Sequence, residues 1–174
     1  MSELARCHFA EGKGTMVGPD ADRVHQQGSV GEFQGGRLTL TGVEILYLME
    51  REKIELIDLA GKRVEFPSLV EVLSEDDPEV WLRFLLYSDL RRRGYIVKTG
   101  YSNGLEYRVY RRGAEVGKEP AKYLVVGLVE GKAVAVQALA SIANSAKLSQ
   151  KDLILAVIDR QGEITYYDAS EVAL

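Results

Sequence analysis

With 174 residues, the chain has room for one ordinary domain or two small ones and is too short for a large multidomain enzyme. Its 46% hydrophobic and 28% charged residues provide for a packed core and exclude a disordered chain. Lys and Arg number 22 against 26 Asp and Glu, a net charge of −4, so no overall positive field gathers nucleic acid, and any RNA or DNA role needs a local basic patch or a partner.

The first 36 residues are rich in Gly and polar residues, ending in Gly28-Ser-Val-Gly-Glu-Phe-Gln-Gly-Gly36, and read as short strands and turns or a partly ordered arm. Leu38-Thr-Leu-Thr41 leads into Val43, Leu46, Tyr47 and Glu50 at helical spacing, and Thr41-x-x-Glu44 has the form of a capping box, so a helix is expected over about 42–51. Ile54-Glu-Leu-Ile-Asp-Leu59 and Arg63-Val-Glu-Phe66 suit two short strands about a turn at Gly61. Ser68-x-x-Glu71 repeats the capping signal before a second, short helix. Asp77-Pro78 offers an N-cap with proline at the first helical position, and Val80, Trp81, Phe84, Leu85 and Tyr87 form an apolar stripe up to a stop at Gly94.

This helix carries the chain into a second domain, giving an N-terminal α/β domain over 1–77 and a second domain over 78–174. Tyr95-Ile-Val-Lys98, the alternating Leu105-Glu-Tyr-Arg-Val-Tyr110, and Lys122-Tyr-Leu-Val-Val-Gly-Leu-Val129 read as three neighbouring strands. Ala133 to Lys147 is an alanine-rich helix with Val136, Leu139, Ile142, Ala143 and Ala146 on one face. Leu153-Ile-Leu-Ala-Val-Ile158, apolar on both faces, is expected as a central strand, and Asp159 to Glu163 turns into a last strand, Ile164-Thr-Tyr-Tyr167. The class is mixed α+β.

The chemistry-bearing residues are few. Cys7 stands alone, which excludes an internal disulfide, and with only His8 and His25 beside it a structural zinc site lacks ligands, so no metal or other cofactor is expected. The beginning of the chain lacks the apolar stretch of a signal peptide, and no later run approaches the ~20 residues of a membrane span, so the expected place is the cytoplasm, away from membranes. Tyr110 shares the polar phase of its strand with Glu106 and Arg108. Lys151 precedes the strand at Leu153. Glu130-Gly-Lys132 has the outline of a metal-nuclease ending, yet falls at a turn with no well-placed upstream Asp. Arg91-Arg92-Arg93 closes a helix whose C-terminus favours cations, and Arg111, Arg112 and Lys118 follow as a candidate phosphate-contacting rim.

Five segments in order, Leu38 to Arg51, Leu90 to Gly100, Tyr107 to Tyr110, Lys122 to Val125 and Leu153 to Tyr167, resemble archaeal tRNA-splicing endonucleases over roughly residues 37–168. The resemblance implies a small N-terminal α/β domain, a C-terminal nuclease domain with a mixed sheet flanked by helices, and a tetrameric or pseudo-tetrameric assembly. Members of this family cut introns from precursor tRNA at a bulge-helix-bulge without a metal, leaving 2′,3′-cyclic phosphate and 5′-hydroxyl ends.

In that family a tyrosine takes the 2′-OH proton, a histidine protonates the departing 5′-oxygen and a lysine balances charge on the phosphorane. The resemblance matches Tyr110 to the tyrosine and Lys151 to the lysine, with Lys147 the alternative when alignment runs from the preceding helix. At the histidine position stands Pro120, which has no side-chain proton to give. The implied role is that of a non-catalytic, structural subunit, two copies of it joined to two of a catalytic subunit in a heterotetramer that acts on precursor tRNA. An active homo-oligomer with Glu119, or another acid of the loop Gly113 to Glu119, in place of the histidine is the alternative, and a metal nuclease on Glu130 and Lys132 a further one. The family also joins subunits through an acidic loop between the last two strands, here framed by Asp159 and Glu163, and through the final strand with Tyr166 and Tyr167.

Overall fold

A computed structural model describes residues 4–102, 104–170, 172 and 174, and divides the chain into two compact units, Met1–Phe84 and Leu85–Leu174. Among the described residues there are eleven strands and five helices, in two mixed sheets, so the class is α+β.

In the first unit, β1 (Ala5–Ala10), β2 (Lys13–Val17), β3 (Glu32–Gln34), β4 (Arg37–Leu40), β5 (Ile54–Ile57) and β6 (Arg63–Val64) form one sheet in the order β3-β4-β2-β1-β5-β6. All neighbours are antiparallel except β1 and β5, which run parallel with Ala5 opposite Ile54. The segment expected as short strands and turns or an arm therefore supplies two inner strands, β1 and β2, and the helix α1 (Pro19–Gln26). On β1 the inward positions are Ala5 and Cys7 and the outward ones Arg6 and His8. Alternation is present, carried by side chains too small to give it contrast. Gly14 on β2 is required by packing: a Cβ there would lie 2.6 Å from Cys7 Sγ and 3.0 Å from Ile45 Cδ1, where the helix α2 (Gly42–Glu50) presses on the sheet.

The start of α2 is the expected capping box. Glu44 N–H donates to Thr41 Oγ1 at 3.4 Å, and Thr41 N–H donates to Glu44 Oε2 at 2.8 Å. The other carboxylate oxygen, Oε1, accepts from Gly31 N–H at 3.1 Å, so one side chain, only 6% exposed, ties the helix to the turn before β3. Glu44→Ala should remove the carboxylate acceptor of two backbone N–H groups and cost about 2–4 kcal/mol in urea unfolding, with Glu44→Gln, which keeps an acceptor, costing less. Equal, negligible losses for both variants would show that the carboxylate does not hold the helix start.

The helix α3 (Phe66–Asp76) begins before the expected Ser68 signal, with Glu65 as N-cap and Pro67 in the first turn. Proline sets the local φ and its missing N–H falls where no intrahelical partner exists, so it overrides the Ser68 pattern. Phe66 packs against Phe84 and Trp81 at ring distances of 5.6 and 6.5 Å. The long helix α4 (Val80–Arg92) starts two residues past Pro78, and Asp77 still organises its entry, accepting from Glu79 N–H at 3.1 Å and from Arg83 Nε at 2.6 Å.

In the second unit, β7 (Ile96–Thr99), β8 (Glu106–Tyr110), β9 (Tyr123–Val129), β10 (Asp152–Ile158) and β11 (Ile164–Asp168) are ordered β11-β10-β9-β8-β7. The strand expected at the centre, β10, is an inner one beside β9, which holds the middle. These two run parallel, as a crossover through the helix α5 (Val136–Leu148) requires, and every other pair is antiparallel. Ile142, Ala143 and Ala146 of α5 pack on Leu124, Val126 and Leu153, but Val136, expected on the same stripe, is 81% exposed.

Candidate functional site

Registers across β7, β8, β9 and β10 place Lys98, Arg108 and Tyr110 on the sheet face that carries Leu124 and Leu153 beneath α5. Tyr110 ends β8 and is buried, 7% exposed, against Ile96, Ala114 and Ala121. The segment 111–121 folds over it. Arg111 donates to Glu119 Oε2 at 2.7 Å across the segment, and Lys118 pairs with Glu115 at 2.5 Å. The bond to Glu119 holds the Arg111 guanidinium above its usual range. Pro120 ends the segment with its ring exposed, and Lys122 N–H then rejoins the sheet through Val109 O.

Lys151 follows α5, its N–H bonded to Ala146 O at 2.9 Å. Its Nζ lies 5.8 Å from the Tyr101 ring centroid, and the Arg108 guanidinium lies 5.6 Å from the same centroid. The structure thus links the strand of Tyr110 to Lys151 through a residue in the β7–β8 connection. Lys147 and Lys151 both border a recess of about 260 Å³ beside Asp152 and Asp168.

Of the expected phosphate rim, Arg111 and Lys118 are neutralised by local acids, while Arg112 lies over the Tyr95 ring at 4.8 Å. Arg112 and Tyr95 border a second recess of about 260 Å³, on the opposite face, floored by Leu90, Val109, Val125 and Ile154. Tyr166 lines it too. Its hydroxyl donates to Asp89 Oδ2 at 2.6 Å, and Arg93 both bonds Asp89 at 2.8 Å and lies 5.0 Å over the Tyr166 ring. Burial first, then the bond to Asp89, push the Tyr166 phenol up, so it stays a proton donor. Tyr167, on the other face, is 54% exposed.

The turn before β11 is built by Asp159. Its Oδ1 accepts from Gln161 N–H at 2.8 Å and Glu163 N–H at 2.9 Å, and Gly162 takes φ +83°, a conformation that suits glycine. Glu163 is exposed.

Among the described residues, other metal ligands are not gathered. Burial pushes the Cys7 thiol up to about 12, so it remains protonated inside the first sheet. Glu130 and Lys132 flank the Gly131 turn with both side chains exposed, and among the described residues no three of His, Cys, Asp and Glu form a metal-holding group. Sequence reading put Arg108 in phase with Tyr110 but missed Tyr101 and Lys98. The strand alternation carried a signal for Lys98, whereas Tyr101 lies outside regular structure, where none exists.

Against known families, residues 10–70 match the tRNA intron endonuclease N-terminal domain and residues 80–166 match the tRNA intron endonuclease catalytic C-terminal domain. Several proteins named tRNA-splicing endonuclease are similar along most of their length. That of Thermococcus onnurineus is 35% identical over 137 residues, 79% of this chain and 78% of the relative. That of Methanothermobacter thermautotrophicus is 35% identical over 147 residues, 84% and 85%. The chain belongs to the tRNA intron endonuclease family. The Pyrococcus furiosus relative, 34% identical over 146 residues, covers 84% of this chain and 83% of its own length. Membership places the chain in tRNA processing, as a nuclease-fold protein of tRNA splicing. Among the described residues, no helix is long and apolar enough to cross a membrane.

Proposed function

We propose that this chain is the structural subunit of a heteromeric tRNA-splicing endonuclease, two copies of it joined to two of a catalytic chain, which together remove introns from precursor tRNA at bulge-helix-bulge motifs. The observation that carries the reading is Pro120, exposed at the end of the segment that covers Tyr110. A proline there cannot protonate a 5′-oxygen. The position of Tyr110 supports the same reading: a general base must come within hydrogen-bond reach of the proton it takes, and this phenol packs among Ile96, Ala114 and Ala121. Tyr110 and Lys151 are then relics of a site, with Lys151 preferred over Lys147 because it shares the Tyr101 ring with Arg108 of β8.

Co-expression with candidate catalytic chains of the family, followed by pull-down, tests the partnership: a stable two-plus-two complex that cuts where neither chain cuts alone is the expected result. Within that complex, Tyr110→Phe in this chain should leave the cleavage rate unchanged. A drop of about 10²–10⁴, the scale of a lost general base, would show that this chain contributes a working site.

A further inference from the structure

Helix α4 stops short of the end of the sheet it covers. Leu86 and Tyr87 pack toward Gly127 and Tyr107, but at Gly94, with φ +91°, the chain leaves the helix, and Tyr95 N–H closes the end on Leu90 O at 3.2 Å. Beyond that point the same sheet face continues through Val109, Val125 and Ile154, which with Leu90 floor the recess of about 260 Å³. Its walls include Tyr95, Tyr123 and Tyr166, and each ring carries a cation: Arg112 at 4.8 Å, Lys122 at 5.2 Å and Arg93 at 5.0 Å from the centroids. Arg93 is neutralised by Asp89, which also accepts the Tyr166 hydroxyl. Arg112 and Lys122 differ: among the described residues neither has a carboxylate within ion-pair distance, whereas Arg111 and Lys118 of the neighbouring segment both do. The end of α4 favours a cation beside Gly94, where Arg112 lies, but a helix dipole offers only about half a charge against the two.

We infer that this recess is a docking site for an acidic peptide segment of a partner protein, with one large apolar side chain entering over Leu90, Val125 and Ile154 and flanking carboxylates meeting Arg112 and Lys122. A nucleobase suits the recess less. Its four aliphatic floor residues offer a base's polar edge no side-chain hydrogen-bond partner, and leaving such groups unpaired is costly. The acidic turn of the chain itself does not match this occupant, since Asp159-Arg-Gln-Gly-Glu163 has no large apolar side chain to insert. The site is thus separate from the turn expected to join subunits, and it holds whether or not the chain cuts RNA.

The test is fluorescence anisotropy of the full chain with labelled peptides of about ten residues, glutamates around a central phenylalanine or leucine. The wild type should bind at low salt and more weakly as salt rises. Replacing the central residue of the peptide by alanine should cost about tenfold or more, and exchanging its glutamates for lysines should abolish binding. Arg112→Gln and Lys122→Gln should each weaken binding about twofold to fivefold and flatten its salt dependence. Tyr95→Leu should weaken binding, while Tyr95→Phe, which keeps the ring under Arg112, should not. Ile154→Phe, which fills the recess, should block it. Lys132→Gln, past the end of β9 opposite to Tyr123, should change nothing. Failure of both peptides to bind, or full affinity in Arg112→Gln and Tyr95→Leu, overturns the site. So does an alanine-centred peptide that binds equally well, which would mark a charged surface without a use for the recess. Displacement of the peptide by an equal concentration of oligouridylate would assign the recess to RNA, and displacement by millimolar inorganic phosphate would assign it to free anions; either result overturns the peptide.

Discussion

Purified alone, the chain should leave a bulge-helix-bulge precursor tRNA uncut. Attack of a ribose 2′-OH on the neighbouring phosphate expels a 5′-oxygen, a poor leaving group unless a proton reaches it as it departs. At the position the family resemblance assigns to that donor the chain has Pro120. Losing a positioned general acid costs about 10²–10⁴ in rate, or roughly 3–5 kcal/mol of barrier. The neighbouring acid offers no ready substitute, since the Glu119 carboxylate is engaged as acceptor from Arg111 at 2.7 Å. Pro120→His alone is not expected to restore cleavage, because a catalytic imidazole must be held within reach of the leaving oxygen and segment 111–121 is instead closed over Tyr110. The assay is incubation with end-labelled precursor tRNA, with and without EDTA, and identification of the product ends. Efficient cleavage that survives EDTA and leaves cyclic phosphate would make the chain an active homo-oligomer, with Glu119 the first residue to test. Cleavage that requires added metal would turn attention to Glu130 and Lys132.

The second large effect is expected at the turn before β11. Replacing Asp159 and Glu163 together by alanine should dissociate the assembly with the catalytic chain, read as a fall in mass by size-exclusion with light scattering. Two carboxylates on one tight turn suit a basic pocket, and close charge pairs across an interface can carry several kcal/mol. The structure separates their contributions. Asp159 spends Oδ1 on two backbone N–H groups inside the turn, whereas Glu163 is presented outward. Asp159→Asn, whose amide oxygen can still accept, should keep the turn and much of the assembly, and Glu163→Gln should weaken assembly in a salt-dependent way. A double alanine variant that remains fully assembled at moderate salt would remove this turn from the interface.

Much of the second unit was legible because its residues carry contrast: Leu105 to Tyr110 alternates in sequence and Leu153 to Ile158 is apolar throughout. In the first unit, Thr41 and Glu44 state their cap at fixed spacing. The first strands were not legible as central ones because β1 buries Ala5 and Cys7, and small side chains look alike on either face. Helix α1 hid for another reason: its N-cap, Gly18, makes no side-chain cap bond, and its eight residues bury only Ala21 and Val24. At the site, Tyr110, Lys151 and Pro120 came through likeness to a family. The Arg111–Glu119 clasp, eight residues apart through an irregular segment, and the meeting of Arg108 and Lys151 on Tyr101 depend on how loops close, which no periodicity records.

The parallel pairing of β1 with β5 sets a timetable for synthesis. Arg6 finds its ion-pair partner Glu55 only 49 residues later, and β1 lies between β2 and β5 in its sheet. A ribosome adding about 5–20 residues per second leaves the β5 side of β1 unpaired for roughly 2–10 s. Over that interval the β1–β2 hairpin presents an open edge, where a neighbouring nascent chain could add a strand. Charged outward residues such as Arg6 blunt such an edge. The cell's exposure to misassembly of this protein is therefore concentrated in the seconds before residue 57 leaves the exit tunnel, and codon choice between β2 and β5 would tune it.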